Sequence, residues 1–176
     1  MIKKLSKKAS LLSALVLTMA LFAGCSNEKE NQKVADIEVK TIATKELQDK
    51  LSDDSWVVVD TRINDAFNGW KLDEVERGGH IKGAVDFSAN WLTVDSKDKE
   101  KTLDKALETK GIEKDKNIVL YDANGKDAKE VANYLSEKGY KNLYTYNVAD
   151  WAKDESLPME SYENYEMIVP ATIVND

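Results

Sequence analysis

Apolar residues in this chain fall into two kinds of stretch that alternate. The first kind is short and almost unbroken. Trp56-Val57-Val58-Val59-Asp60 and Asn117-Ile118-Val119-Leu120-Tyr121 read as strands buried on both faces, the pattern of a central parallel sheet. Ala84-Val85-Asp86-Phe87 and Asn142-Leu143-Tyr144-Thr145-Tyr146 read as two further strands. The second kind has helical spacing. Thr44 is placed to N-cap a helix over 45–51, with Leu47 and Leu51 on one face. A segment of mixed helical character, 61–77, carries Phe67 and Trp70 as apolar anchors and is broken by Gly78-Gly79. The stretch 98–109 turns Leu103, Ala106 and Leu107 inward and ends at Gly111. The stretch 127–138 carries Val131, Tyr134 and Leu135 on one stripe and stops at Gly139. It opens with Asp127 three residues before Glu130, a variant of the capping box, with Asp127 as expected N-cap. Strands alternating with helices predict an α/β fold, a central parallel sheet flanked by helices on both faces. Such sheets place their sites at the carboxyl ends of strands. Here those ends are Asp60-Thr61-Arg62 and the loop Asp122-Ala123-Asn124-Gly125-Lys126-Asp127.

The N-terminus has a different pattern. A basic segment, 1–10, leads into a mostly apolar run from Leu11 to Ala23. That run is short of the roughly 20 residues needed to span a bilayer, and it suits a signal-peptide core. It ends in Leu21-Phe22-Ala23-Gly24-Cys25 and resembles a bacterial lipoprotein signal, with Phe22 where such signals usually carry Leu. The resemblance implies that 1–24 is removed and that Cys25 is acylated. The mature protein is then expected on the cell membrane, lipid-anchored, on the extracytoplasmic side. Residues 25–36 are polar beyond the cysteine and read as a tether, followed by one domain over 37–158.

Composition narrows the function. The chain has 176 residues, 42% hydrophobic and 32% charged, with a formal net charge of −7. Without residues 1–24, whose only charges are Lys3, Lys4, Lys7 and Lys8, 21 basic residues face 32 acidic ones, a balance of −11. Such a body is a poor ligand for nucleic acid, which needs clustered Lys and Arg. Cys25 is the only cysteine and His80 the only histidine, so no internal disulfide and no His- or Cys-rich metal site is expected, and no cofactor is implied.

The ordered set VVVDTR (57–62), GGHIKGAVDF (78–87), NIVLYDANGKDAKEVANYLSEKGYKNLYTYN (117–147), Trp151 and Leu157-Pro158 resembles the rhodanese-like domain of the sulfurtransferase family. That resemblance implies a fold of the class predicted above. It also implies an active loop after the third buried strand, opened by a cysteine that carries sulfur as a persulfide, with Asp60 and Arg62 on a pocket wall. In this chain the loop has the expected length, but Asp122 stands where the cysteine belongs. A carboxylate cannot carry a persulfide. It would also repel an anionic sulfur donor by about 4 kcal/mol at 4 Å and an effective dielectric near 20. Lys126 could attract an anion to the loop or be merely solvated. His80 reads as a buried group tying two loops together.

The chain is also similar to the first domain of tandem thiosulfate or 3-mercaptopyruvate sulfurtransferases, which usually lacks the cysteine. The segment 165–172 loosely echoes 37–44, so 159–176 is expected to be either the start of a second such domain or a structured tail. The expected role is a membrane-anchored module without catalysis of its own, partnered by a catalytic rhodanese-like domain. The alternative is a stand-alone binding lipoprotein whose acidic loop takes a cation or a basic peptide.

Overall fold

The computed structural model describes residues 38–167. The expected signal, Cys25, the tether 26–36 and the last part of the tail, 168–176, lie outside the described residues.

Five strands form a parallel sheet: β1 (Lys40–Thr41), β2 (Trp56–Asp60), β4 (Val85–Asp86), β5 (Asn117–Asp122) and β6 (Leu143–Asn147), in the order β1-β6-β5-β2-β4. The two apolar runs are the sheet's centre: β5 lies between β2 and β6, with Asp60 opposite Tyr121 and Asp122 opposite Asn147. Pairing on both edges and packing on both faces explain why these runs show no polar alternation. On one face, helices α3 (Lys99–Thr109) and α4 (Lys126–Glu137) bury Leu103, Leu107, Val131 and Leu135 against Val59, Ile118 and Leu120. On the other, α1 (Thr44–Lys50) and α5 (Val148–Ala152) bury Leu47, Val148 and Trp151 against Val58, Val119 and Tyr121. The expected α/β architecture, a parallel sheet with helices on both faces, is the one observed.

Local expectations needed correction at four places. Thr44 is not the N-cap of α1. Ala43 precedes the helix without a side-chain cap, and the Thr44 hydroxyl instead hydrogen-bonds the Tyr146 hydroxyl at 2.9 Å. The segment 61–77 is helical only in α2 (Asn64–Asn68), which ends at Gly69. Beyond it Asp73 and Glu74 take φ of 55° and 60°, incompatible with a helix. Asp127 is not the cap of α4: it lies inside the first turn, and Gly125 holds the N-cap position at φ 80° and ψ 2°. The strand expected over 84–87 narrows to β4.

A second, two-stranded antiparallel sheet pairs β3 (His80–Ile81) with β7 (Met159–Glu160). The described part of the tail therefore packs on the domain. Tyr162 donates its backbone N–H to the Asn68 carbonyl, and the Tyr165 ring stands edge-on to Trp70 over Gly69. A Cβ on Gly69 would come within 2.4 Å of the Tyr165 ring, and one on Gly79 within 2.2 Å of the Glu160 carbonyl oxygen. Arg77 holds the approach to this tail by donating to the carbonyls of Trp151, Ala152, Asp154 and Leu157.

Candidate functional site

The loop predicted from the sequence sits at the carboxyl end of the central strand β5 and runs directly into α4. Asp122 is its foundation. The side chain turns inward and the residue is only 1% exposed. Its Oδ1 accepts the Gly125 N–H at 2.6 Å, and its Oδ2 accepts the Ala128 N–H at 3.0 Å. A helix leaves its first N–H groups without intrahelical partners and carries partial positive charge there. Asp122 thus caps α4 through an amide six residues further along the chain, the task the sequence assigned to Asp127. Such charge-assisted bonds are the stronger kind. Gly125 makes the geometry possible, because its left-handed backbone turns the chain back over the carboxylate.

The middle of the loop faces solvent, while Ala123 and Asp127 are half-buried. Asn124, Gly125 and Lys126 are exposed, and Asn124 Oδ1 accepts the Lys126 N–H at 3.0 Å. Asp127 has its carboxyl pushed up from the ordinary range, first by desolvation and then by the negative charges of Asp122, Asp73 and Glu130, against the opposing pull of Lys126. The loop mouth is therefore acidic despite Lys126. Beside it lies an open cavity of about 230 Å³ lined by Thr41, Asp122, Asn124, Gly125, Thr145 and Asn147, among others. Thr41, Thr145 and Asn147 were not foreseen. The signal was available: Asn147 follows the expected strand 142–146, at a carboxyl end like the two that were singled out.

Asp60 and Arg62 do not join Asp122 in one cluster. Asp60 shares the sheet face of Tyr121, whereas Asp122 turns its carboxylate toward α4 on the other face. The two residues form a buried bidentate pair. Arg62 Nε donates to Asp60 Oδ1 at 2.9 Å and Nη2 to Oδ2 at 2.5 Å. Nη2 also donates to the Gly79 carbonyl at 2.7 Å, and the guanidinium lies over the Tyr121 ring. Burial pushes the Tyr121 phenol well up, reinforced by the Asp60 charge and opposed by Arg62. The arrangement ties the end of β2 to the turn before β3. His80 continues it: its Nδ1 lies 2.8 Å from the Phe67 carbonyl oxygen, and its ring stacks on Phe67 at 3.8 Å. Among the described residues no group of three or more His, Cys, Asp or Glu side chains is arranged to hold a metal ion.

The rhodanese-like domain family model matches residues 43–152, which takes in every strand of the five-stranded sheet except β1, and the loop. The chain belongs to the rhodanese-like domain family. Among solved structures, it is similar to the anaerobic ergothioneine biosynthesis enzyme from Chlorobium limicola in complex with trimethyl histidine. The identity is 32% over 78% of this chain and 32% of that one, with a TM-score of 0.70. Wild-type EanB matches at 32% identity over 79% of this chain and 31% of its own, TM-score 0.70. An EanB variant holding ergothioneine covalently linked with a cysteine persulfide matches at 32% identity over 78% and 32%, TM-score 0.70. The chain spans about a third of the length of each of these proteins. The rhodanese-like fold is thus shared with proteins of sulfurtransferase type, one of them solved with a persulfide.

Proposed function

We infer that this protein is a membrane-anchored rhodanese-like lipoprotein module that does not transfer sulfur by itself and serves a catalytic rhodanese-like domain as its non-catalytic partner. The observation that carries this reading is the double hydrogen bonding of Asp122. Its two oxygens occupy amides of the loop and of the first turn of α4, donors of the kind that stabilise thiolates and anionic donors in sulfur transfer. The carboxylate is a built-in anion at that place. It offers no sulfur nucleophile, and about 4 kcal/mol of like-charge repulsion corresponds to roughly a thousandfold loss of affinity for thiosulfate. Cys25 supplies no substitute, since its motif marks it for acylation. Two or more acyl chains hold a protein stably, at about 0.8 kcal/mol per buried methylene.

The test has three parts. The protein purified from membranes in detergent is assayed for cyanide-dependent thiocyanate release from thiosulfate, with none expected. Activity that persists in Cys25→Ser overturns the reading. Fatty-acid labelling is expected in the wild-type chain and absent in Cys25→Ser. Finally, the genomic sequence beyond residue 176 is expected to encode a rhodanese-like segment that carries the loop cysteine. A stop codon with no such segment refutes the tandem arrangement and leaves the stand-alone binding module. Titration with a cation and with a basic peptide then tests that alternative.

A further inference from the structure

The loop brings together four groups that act on one another chemically. Asn124 is followed by Gly125, the pair in which a side-chain amide is most open to attack by the next backbone nitrogen, because glycine has no side chain to obstruct ring closure. Both residues are exposed, and a Cβ built on Gly125 would meet nothing within 4 Å, so water reaches this side of the loop. The Gly125 N–H donates to Asp122 Oδ1 at 2.6 Å, which sets a carboxylate base on the proton that must leave. The Lys126 N–H donates to Asn124 Oδ1 at 3.0 Å, which polarises the amide carbonyl and holds the oxygen where negative charge develops.

We propose that Asn124 is a self-modification site: the folded loop converts it to aspartate and isoaspartate, with Asp122 as general base and the Lys126 amide as oxyanion donor. In the first step the Gly125 nitrogen gives its proton to Asp122 and forms a bond to Asn124 Cγ, while the carbonyl electron pair moves onto Oδ1. In the second, that pair returns, the Cγ–Nδ2 bond breaks, and the nitrogen leaves as ammonia with the proton returned from Asp122. The product is a five-membered succinimide. Water then adds to either of its carbonyls and opens it to aspartate or isoaspartate. Nothing is oxidised or reduced, and water is the only co-reactant. The outcome adds a negative charge to a loop that already holds Asp122 and Asp127. The isoaspartate product also inserts a methylene into the main chain and so resets the path between β5 and α4.

The chain contains its own control. Asn68-Gly69 is the same dipeptide, but the Gly69 N–H donates to the Asp65 backbone carbonyl at 3.3 Å, and the Tyr165 ring covers the position of a Gly69 Cβ. The experiment incubates the full chain in detergent at neutral pH, folded or unfolded in urea. Isoaspartate at each site is then mapped by peptide mass spectrometry with electron-transfer fragmentation. In urea the two sites should react alike. In the folded protein Asn124 should react at least about tenfold faster than Asn68 and faster than either site in urea, as a positioned general base provides. Asp122→Asn keeps an oxygen for the Gly125 N–H but removes the base, and should bring Asn124 down to the unfolded rate. The wild-type rate at Asn124 should depend weakly on pH, whereas the unfolded rate follows hydroxide. Folded Asn124 reacting no faster than in urea overturns the proposal. So does a folded rate at Asn124 that rises in proportion to hydroxide, a readout that holds even if Asp122→Asn fails to fold.

Discussion

Replacing Asp122 with Ala tests the structural half of the account, that this carboxylate caps α4 from the end of β5. The substitution removes both acceptors at once. Ala128 is fully buried, so its N–H finds no water in place of Oδ2, and losing a charged acceptor there costs about 1.5–3 kcal/mol. The Gly125 N–H lies in an exposed turn and is rehydrated, at a cost of about 0.5 kcal/mol. The lost interaction with the helix dipole adds about 0.3–1 kcal/mol. Relief of the repulsion between Asp122 and Asp127 returns a few tenths. The total is about 3 kcal/mol, or a fall in Tm of roughly 10 °C for a domain of this size. Urea unfolding of Asp122→Ala and Asp122→Asn measures it. Asn retains an oxygen for Gly125 but sets an NH2 group against the Ala128 N–H, so about two thirds of the loss should persist. A cost below about 1 kcal/mol for Asp122→Ala, or an Asn variant as stable as the wild type, would refute the capping role.

Arg62→Ala strands the buried Asp60 carboxylate and should cost about 3–5 kcal/mol in the same unfolding assay, with the β3 turn losing hydrogen-exchange protection first. Tyr165→Ala removes an edge-on contact with Trp70 and should cost about 1 kcal/mol, a measure of how far the tail belongs to the domain. Asp127 has a folded-state pKa above its unfolded one, so its ionisation opposes folding at neutral pH. Asp127→Asn should therefore be more stable than the wild type at neutral pH. The gap should close as pH falls through that raised pKa, as followed by thermal melts across the acid range.

The elements legible in the sequence are those whose residues carry their own signal. β2 and β5 were visible because buried central strands must be apolar throughout, and α3 and α4 because one stripe of each faces the sheet. β1, β3 and β7 are two residues long, too short for any periodicity, and exist because a neighbour is there to pair with. The segment 61–77 looked helical because Phe67 and Trp70 have helical spacing. Gly69 ends the helix between them, and Trp70 packs on Tyr165, a residue the local window does not contain.

At the candidate site the division is sharper. The sequence by itself determined that the loop after β5 opens with a carboxylate and not a thiol, because residue type at a matched position needs no coordinates. It also determined that the one cysteine, Cys25, precedes that loop by 97 positions along the chain. Only the tertiary structure decided what the carboxylate does. On paper Asp127, three residues before Glu130, is the expected cap. The left-handed turn at Gly125 brings the α4 amides over Asp122 and leaves Asp127 in the first helical turn. Side-chain alternation likewise separates neighbours in the sheet: Asp60 and Tyr121 share one face, and Asp122, the next residue on, works on the other.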